Sequence, residues 1–221
     1  MSWLVCENTP LHACPLFALN LIHTSGTEST AKSLAIAHFH LLMNPTAMSK
    51  LREELKTVPE TASWTQLEQL PYLSGAIAEG NRLSFGVTGR ACRIAPDEAL
   101  QYKQYTIPPG TPVSSTTLSI HTDESIFPDP WAFKPERWLG SEGAERRKYQ
   151  MAFNKGARNC IGMNLAHAEM FLVLAAVARF DMKLFKRDIG DVQFKHDFHV
   201  AYPRLDSKGV RVMVDGKGRY V

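Results

Sequence analysis

The four cysteines, Cys6, Cys14, Cys92 and Cys160, form no CxxC pair. A chain of 221 residues needs no disulfide staples to hold a core, so they read as reduced thiols of an intracellular protein. Long apolar runs are also missing. The longest, residues 170–178, is closed by Glu169 and Arg179, well short of the roughly 18–20 residues of a membrane span. Residues 1–10 lack the basic start of a secretory signal and carry Glu7 where such a signal is apolar, so no targeting segment is expected. Nor is there a basic stripe: 25 Lys+Arg against 22 Asp+Glu leave a scattered net charge of +3, which speaks against a nucleic-acid partner. No internal repeat, low-complexity tract or interdomain linker is visible.

What is present is the composition of a globular chain, 44% hydrophobic and 21% charged, whose length suits one large or two small domains. Residues 16–43 are apolar at helical spacing around a polar window, HTSGTEST at residues 23–30, and predict one long helix. Asn44-Pro45 interrupts it, because the residue before proline avoids the helical region. Further helices are expected over 47–56, 63–70 (short and capped) and 72–83, where Glu79 and Arg82 share a face. Gly80 within that helix should cost about 1 kcal/mol relative to alanine. Residues 87–122 read as short strands, 127–140 as irregular proline-rich chain, 141–148 as charged surface opening a long loop, and 163–180 as a helix. Residues 185–214 alternate like strands, with a hairpin turn at Ser207-Lys208-Gly209. The fold class is therefore mainly α with small β-sheets.

Chemistry concentrates in residues 153–162, FNKGARNCIG, a glycine-rich loop that runs into a helix just after Cys160. Free backbone N–H groups and the dipole at a helix N-terminus stabilise a thiolate, which strengthens the sulfur as ligand or nucleophile. Gly156 and Gly162 are expected to let the backbone turn and approach a flat partner, and Arg158 to meet an anion.

This stretch matches the F-x-x-G-x-R-x-C-x-G signature of the cytochrome P-450 monooxygenases, and three further segments resemble that family in its own order. Glu79-Gly80-Asn81-Arg82 is similar to its E-x-x-R, Phe133-Lys134-Pro135-Glu136-Arg137-Trp138 to its P-E-R-F segment, and Ser25-Gly26-Thr27-Glu28-Ser29-Thr30 to the polar window of its oxygen-binding helix. The resemblance covers nearly the whole chain but only the C-terminal half of the family fold, so residues 1–221 are expected to form a partial domain with the N-terminal half absent.

The resemblance implies haem b, with Cys160 as axial iron ligand and Arg158 on a propionate; a thiolate ligand favours cleavage of the O–O bond. Phe153, Gly156 and Gly162 would complete the cofactor loop, and Arg90 and His121 lie where further propionate contacts are often found. Glu79, Arg82 and Arg137 would form a buried network bracing the cysteine loop. Gly26 would let the helix open, and Glu28, Ser29 and Thr30 would supply a carboxylate and hydroxyls for proton delivery. Ser29 stands at the usual threonine position and lacks the methyl group that restricts a threonine rotamer. Asn154 stands where the family has glycine or serine. Gly86–Gly89 and His196–Val200 correspond to substrate-facing loops.

The implied activity inserts one oxygen atom of O2 into a small lipophilic substrate, with electrons from NADPH through a reductase; its flavour is fungal secondary metabolism. Arg146, Arg147, Lys148 and Lys155 form a basic cluster suited to an acidic reductase. The expected location is cytoplasmic for this chain, and the endoplasmic-reticulum surface if an N-terminal half exists. Two other readings are a truncated remnant that binds haem without turnover and a Cys160–His167 hydrolase. The latter is disfavoured because seven residues of helix put the two about 10 Å apart.

Overall fold

A computed structural model of the chain describes residues 15–214, with side chains from residue 26 onward. Cys6, Cys14 and the expectation of no targeting signal therefore lie outside the described residues. Helix α1 (Pro15–Met43) runs unbroken through the polar window. Asn44 ends it and caps the next helix, α2 (Pro45–Leu55), its side chain accepting the Ala47 N–H at 3.1 Å, with Pro45 in the first turn where no N–H is needed. Ser63 and Gln66 form a reciprocal capping box for the short α3 (Trp64–Leu67). Proline opens α4 (Pro71–Ser84), and Phe85 closes it in the left-handed conformation.

Helices α1, α2, α3 and α4 pack with α7 (Met163–Ala178) around one core. Leu41, Leu51, Leu73, Ala76, Leu174 and Ala178 are its fully enclosed members. Burying a leucine side chain contributes roughly 1.5–3 kcal/mol, so this layer is the principal source of cohesion. Where α1 crosses α4 the helices nearly touch. A Cβ on Gly80 would lie 2.8 Å from Ala37 Cβ and 3.0 Å from the Ser33 carbonyl oxygen. Ser33 Oγ donates to Ser84 Oγ across the same crossing at 2.8 Å. Gly80 is thus a packing requirement, which reverses its expected reading as a mere loss of helix stability.

The sheets are small: antiparallel pairs β1 (Leu100–Tyr102) with β2 (Tyr105–Ile107), β3 (Met182–Leu184) with β6 (Val212–Val214), and β4 (His196–Asp197) with β5 (Ala201–Tyr202). The strand-like pattern over 87–122 yields only β1, β2 and the bridges Val87–Val200 and Arg93–Val113, and its end folds as helix α5 (Thr117–His121), capped by the Thr116 side chain. Residues 141–148, expected as charged surface, contain helix α6 (Gly140–Arg146), supported by the i,i+4 pair Glu142–Arg146. The turn at Ser207–Gly209 is not a hairpin: it lies between β5 and β6, but β6 pairs with β3 and β5 with β4, so the hairpin turns at residues 198–200.

Candidate functional site

The base of the site is a carboxylate buried in α4. Glu79 is fully enclosed, as is Arg82, and Arg137 nearly so. Glu79 Oε1 accepts from Arg82 Nη2 (2.9 Å), Arg137 Nε (2.9 Å) and the Lys134 N–H (3.0 Å). Glu79 Oε2 accepts from Arg82 Nε (2.9 Å) and the Trp138 indole (2.8 Å). Two guanidinium groups and two neutral donors thus surround one carboxylate, so every lone pair is used where water cannot enter. Arg137 also donates to the Pro128 and Asp129 carbonyls, and Arg82 to the His121 and Ala132 carbonyls. The cluster thereby fixes the proline-rich segment, which makes a 3-10 turn over Pro135–Trp138, against α4. Sequence spacing brought Glu79, Arg82 and Arg137 to notice but not Trp138 or the Lys134 amide.

The chain next passes over α4 toward Cys160. Gln150 Nε2 donates to the Ala78 carbonyl at 2.8 Å, and Gly86, at φ +59°, lies so close to Ala152 that a Cβ would meet its carbonyl oxygen at 2.3 Å. Asn154 holds φ +60°, a conformation asparagine tolerates, and its side chain accepts the Lys155 N–H at 2.8 Å. That accounts for a residue other than glycine there. Gly156 follows at φ +79° and opens a 3-10 turn, Gly156–Arg158. The loop closes where the Cys160 N–H donates to the Phe153 carbonyl at 2.9 Å. The Phe153 ring meets His167 of α7 edge-on, centroids 4.9 Å apart.

Cys160 and Arg158 are both exposed, immediately before α7. Gly162 occupies the N-cap with no side-chain cap; at φ −84° it has an ordinary backbone, so the sharp turn expected there falls to Gly156 instead. Beside the cysteine, Ile161 is fully exposed and Leu165 64% exposed, an apolar rim next to a sulfur and an arginine. His167 lies between the rings of Phe153 and Phe171, burial pushing its ionisation below the usual histidine range. Among the described residues no hydrogen bond joins it to Cys160, so the geometry does not assemble a hydrolase pair.

The other residues singled out are dispersed. Gly26, Thr27, Glu28 and Ser29 make up an exposed turn of α1, and Thr30 is buried. Helix α1 does not open at Gly26, and α1 packs against α7. Glu28 accepts from the Tyr202 hydroxyl, which ties the β4–β5 hairpin to the window. The Lys32 ammonium lies 4.5 Å from the Tyr202 ring centroid, and burial lowers its ionisation to about 8. Arg90 is exposed after α4. His121 is not available to a propionate: it is wholly buried with both ring nitrogens engaged by backbone. In the basic cluster, Arg146 pairs with Glu142 and Lys148 with Glu145, so half of the expected docking charge is neutralised internally.

Comparison with known proteins agrees with this geometry. The family model described as Cytochrome P450 matches residues 18–205. The chain is 49% identical over 187 residues to cytochrome P450 monooxygenase TRI4 of Trichoderma arundinaceum, covering 81% of this chain and 36% of that protein. It is 43% identical over 205 residues to cytochrome P450 monooxygenase aflU of Aspergillus parasiticus, covering 90% and 41%. The chain thus spans well under half the length of these curated relatives. A crystal structure of the cytochrome P450 CYP102L1 superimposes with a TM-score of 0.69 at 26% identity, covering 88% of this chain and 44% of that one. Retinoic acid bound cyanobacterial CYP120A1 gives 0.73 at 23% identity, a likeness of fold, covering 89% and 45%. A buried Glu-Arg-Arg cluster beneath an exposed cysteine at a helix start, in a chain whose sequence and fold both match, shows that this protein belongs to the cytochrome P450 family.

Proposed function

We propose that this chain is the haem-holding part of a monooxygenase that places one oxygen atom of O2 into a small lipophilic substrate. The carrying observation is Cys160: an exposed sulfur at the start of α7, on a loop closed by its own backbone, whose entering segment at Met151 is linked through His121 to Arg82 of the buried cluster. The residues present fit a haem. They offer one soft sulfur donor, a neighbouring guanidinium, an apolar rim at Ile161 and Leu165, and open space beside Gly156, where a Cβ would meet nothing within 4 Å. When bound, haem b supplies the activation of O2 using electrons delivered from NADPH through a reductase.

The chain's own residues then have distinct tasks. Cys160 would hold the metal, and the free N–H groups at the start of α7 would favour a negative sulfur there. Arg158 and the exposed Arg90 hold carboxylate groups of the cofactor edge. Phe153 joins the loop to α7 so that the sulfur keeps a fixed height. Glu28 and Ser29, on the open face of α1, hold and pass protons, while burial removes Thr30 from that task. The Tyr202 hydroxyl holds the Glu28 carboxylate and brings the β4–β5 hairpin, a wall for an apolar substrate, over the window. Arg147 and Lys155 remain for an acidic redox partner. Among the described residues no helix is long and apolar enough to cross a membrane. The likeness to fungal monooxygenases at 49% and 43% identity supports a substrate from secondary metabolism.

The test is turnover: chain supplied with haem, an NADPH-dependent reductase and ¹⁸O2, with product analysed by mass spectrometry. One labelled oxygen atom per product molecule is expected. Haem uptake without labelled product would contradict the activity and leave a haem-binding protein.

A further inference from the structure

His121 ends helix α5 and is completely buried. The Met151 N–H donates to its Nε2 at 3.0 Å, so that nitrogen carries the lone pair. The proton therefore sits on Nδ1, which donates to the Arg82 carbonyl oxygen at 2.9 Å. Arg82 Nη1 in turn donates to the His121 carbonyl at 2.8 Å. One ring thus bridges the last turn of α4, with its buried ion cluster, to the segment that enters the cysteine loop. Two residues beyond Met151 is Phe153, whose carbonyl accepts the Cys160 N–H at 2.9 Å. The ring also packs against Phe85 and Phe127.

We propose that His121 is a positioning residue for Cys160, a fixed Nδ1–H imidazole that sets the cysteine loop at its height above the Glu79–Arg82–Arg137 cluster. This rests on the reading of Cys160 as the thiolate ligand. Burial holds the ring's ionisation down to about 4, so it remains neutral and keeps one donor and one acceptor at neutral pH. A charged imidazolium would carry a proton on Nε2 and could no longer accept the Met151 N–H, with the Tyr149 backbone as its remaining partner on that side.

The two ends of the ring can be separated by substitution. Asparagine places its amide near Nδ1 and keeps the donor to Arg82, leaving the Met151 N–H without an acceptor. Glutamine reaches the Nε2 position and keeps that acceptor. Amide hydrogen exchange on the haem-free chain reads the loop directly. H121N should exchange on the order of tenfold faster or more at Met151 and Cys160, with Leu174 in the core unchanged, whereas H121Q should stay near wild type. M151P removes the N–H itself at a position preceded by extended backbone (Gln150 φ −71°, ψ 109°), which proline accepts, and should accelerate Cys160 as H121N does. Equal effects of H121N and H121Q at Cys160, or wild-type exchange at Cys160 in M151P, would overturn the proposal; should H121N fail to fold, the M151P result decides. With haem supplied, the fraction of strongly red-shifted carbonyl band should fall in H121N and be retained in H121Q. If wild type lacks that band while the exchange pattern holds, the ligand reading fails separately from the positioning of the loop.

Discussion

Replacing Glu79 by glutamine removes one charge and almost no volume, and so isolates what the buried carboxylate does. In the native chain it receives five hydrogen bonds of 2.8–3.0 Å, three of them from Arg82 and Arg137. The amide of glutamine would turn an NH2 group toward donors on one side and leave two guanidinium groups confined without a counter-charge. Breaking a buried pair in this way costs roughly 3–5 kcal/mol, a large share of a typical total stability of about 5–15 kcal/mol. For a chain of this size each kcal/mol corresponds to about 2–4 °C, so E79Q should lower the melting temperature by about 6–20 °C. Urea unfolding followed by circular dichroism, with calorimetry in parallel, measures the loss. E142Q provides the control: its partner Arg146 meets it at 3.1 Å but the glutamate is 81% exposed, and such pairs contribute at most about 1 kcal/mol. A loss for E79Q no larger than for E142Q would refute the view that this carboxylate braces the site.

G80A should destabilise by about 1–3 kcal/mol in the same urea titration, despite alanine's better helix propensity, because its methyl would meet Ala37 and the Ser33 carbonyl. L174A, at a core position with no exposure, should cost about 2–5 kcal/mol, read as a shift in the urea midpoint at unchanged slope. His121 also predicts a pH dependence. Burial lowers its folded-state ionisation from 6.5 to about 4, so the unfolded chain binds more protons between those values and stability falls as the pH drops from about 6.5 toward 4. H121Q should flatten stability over that window by about 3 kcal/mol, and an unchanged slope would show that the ring is not held neutral.

Helices were the legible part of this fold, because their apolar spacing and caps are local. Asn44-Pro45 marked the break between two helices, though the second begins at Pro45 and not at residue 47, and the short capped helix expected over 63–70 is found over Trp64–Leu67 with Ser63 as its cap. Strand patterns over residues 87–122 announced the small sheet β1–β2 but overstated its extent, because short alternation also suits chain that is pinned by distant partners, as Thr116 Oγ1 is by the Thr88 carbonyl at 2.9 Å. Gly80 was misread for a related reason: helix propensity is visible at one position, whereas the approach of Ala37 from another helix is not. At the site, Glu79, Arg82, Arg137 and Cys160 stood out through fixed spacing. His121 was noticed but given the wrong neighbour, since nothing in its local sequence announces the Met151 amide. Tyr202 and Trp138 carried no signal, because their partners lie at sequence separations of 174 and 59.

The most direct test of the account is the spectrum of the reduced chain under carbon monoxide after haem is supplied. Thiolate ligation of a haem carbonyl would shift the Soret band strongly to the red, and that band should appear in wild type and vanish in C160A. An unshifted band in the wild-type chain, or a shifted one that survives in C160A, would contradict the assignment of Cys160 as the haem ligand.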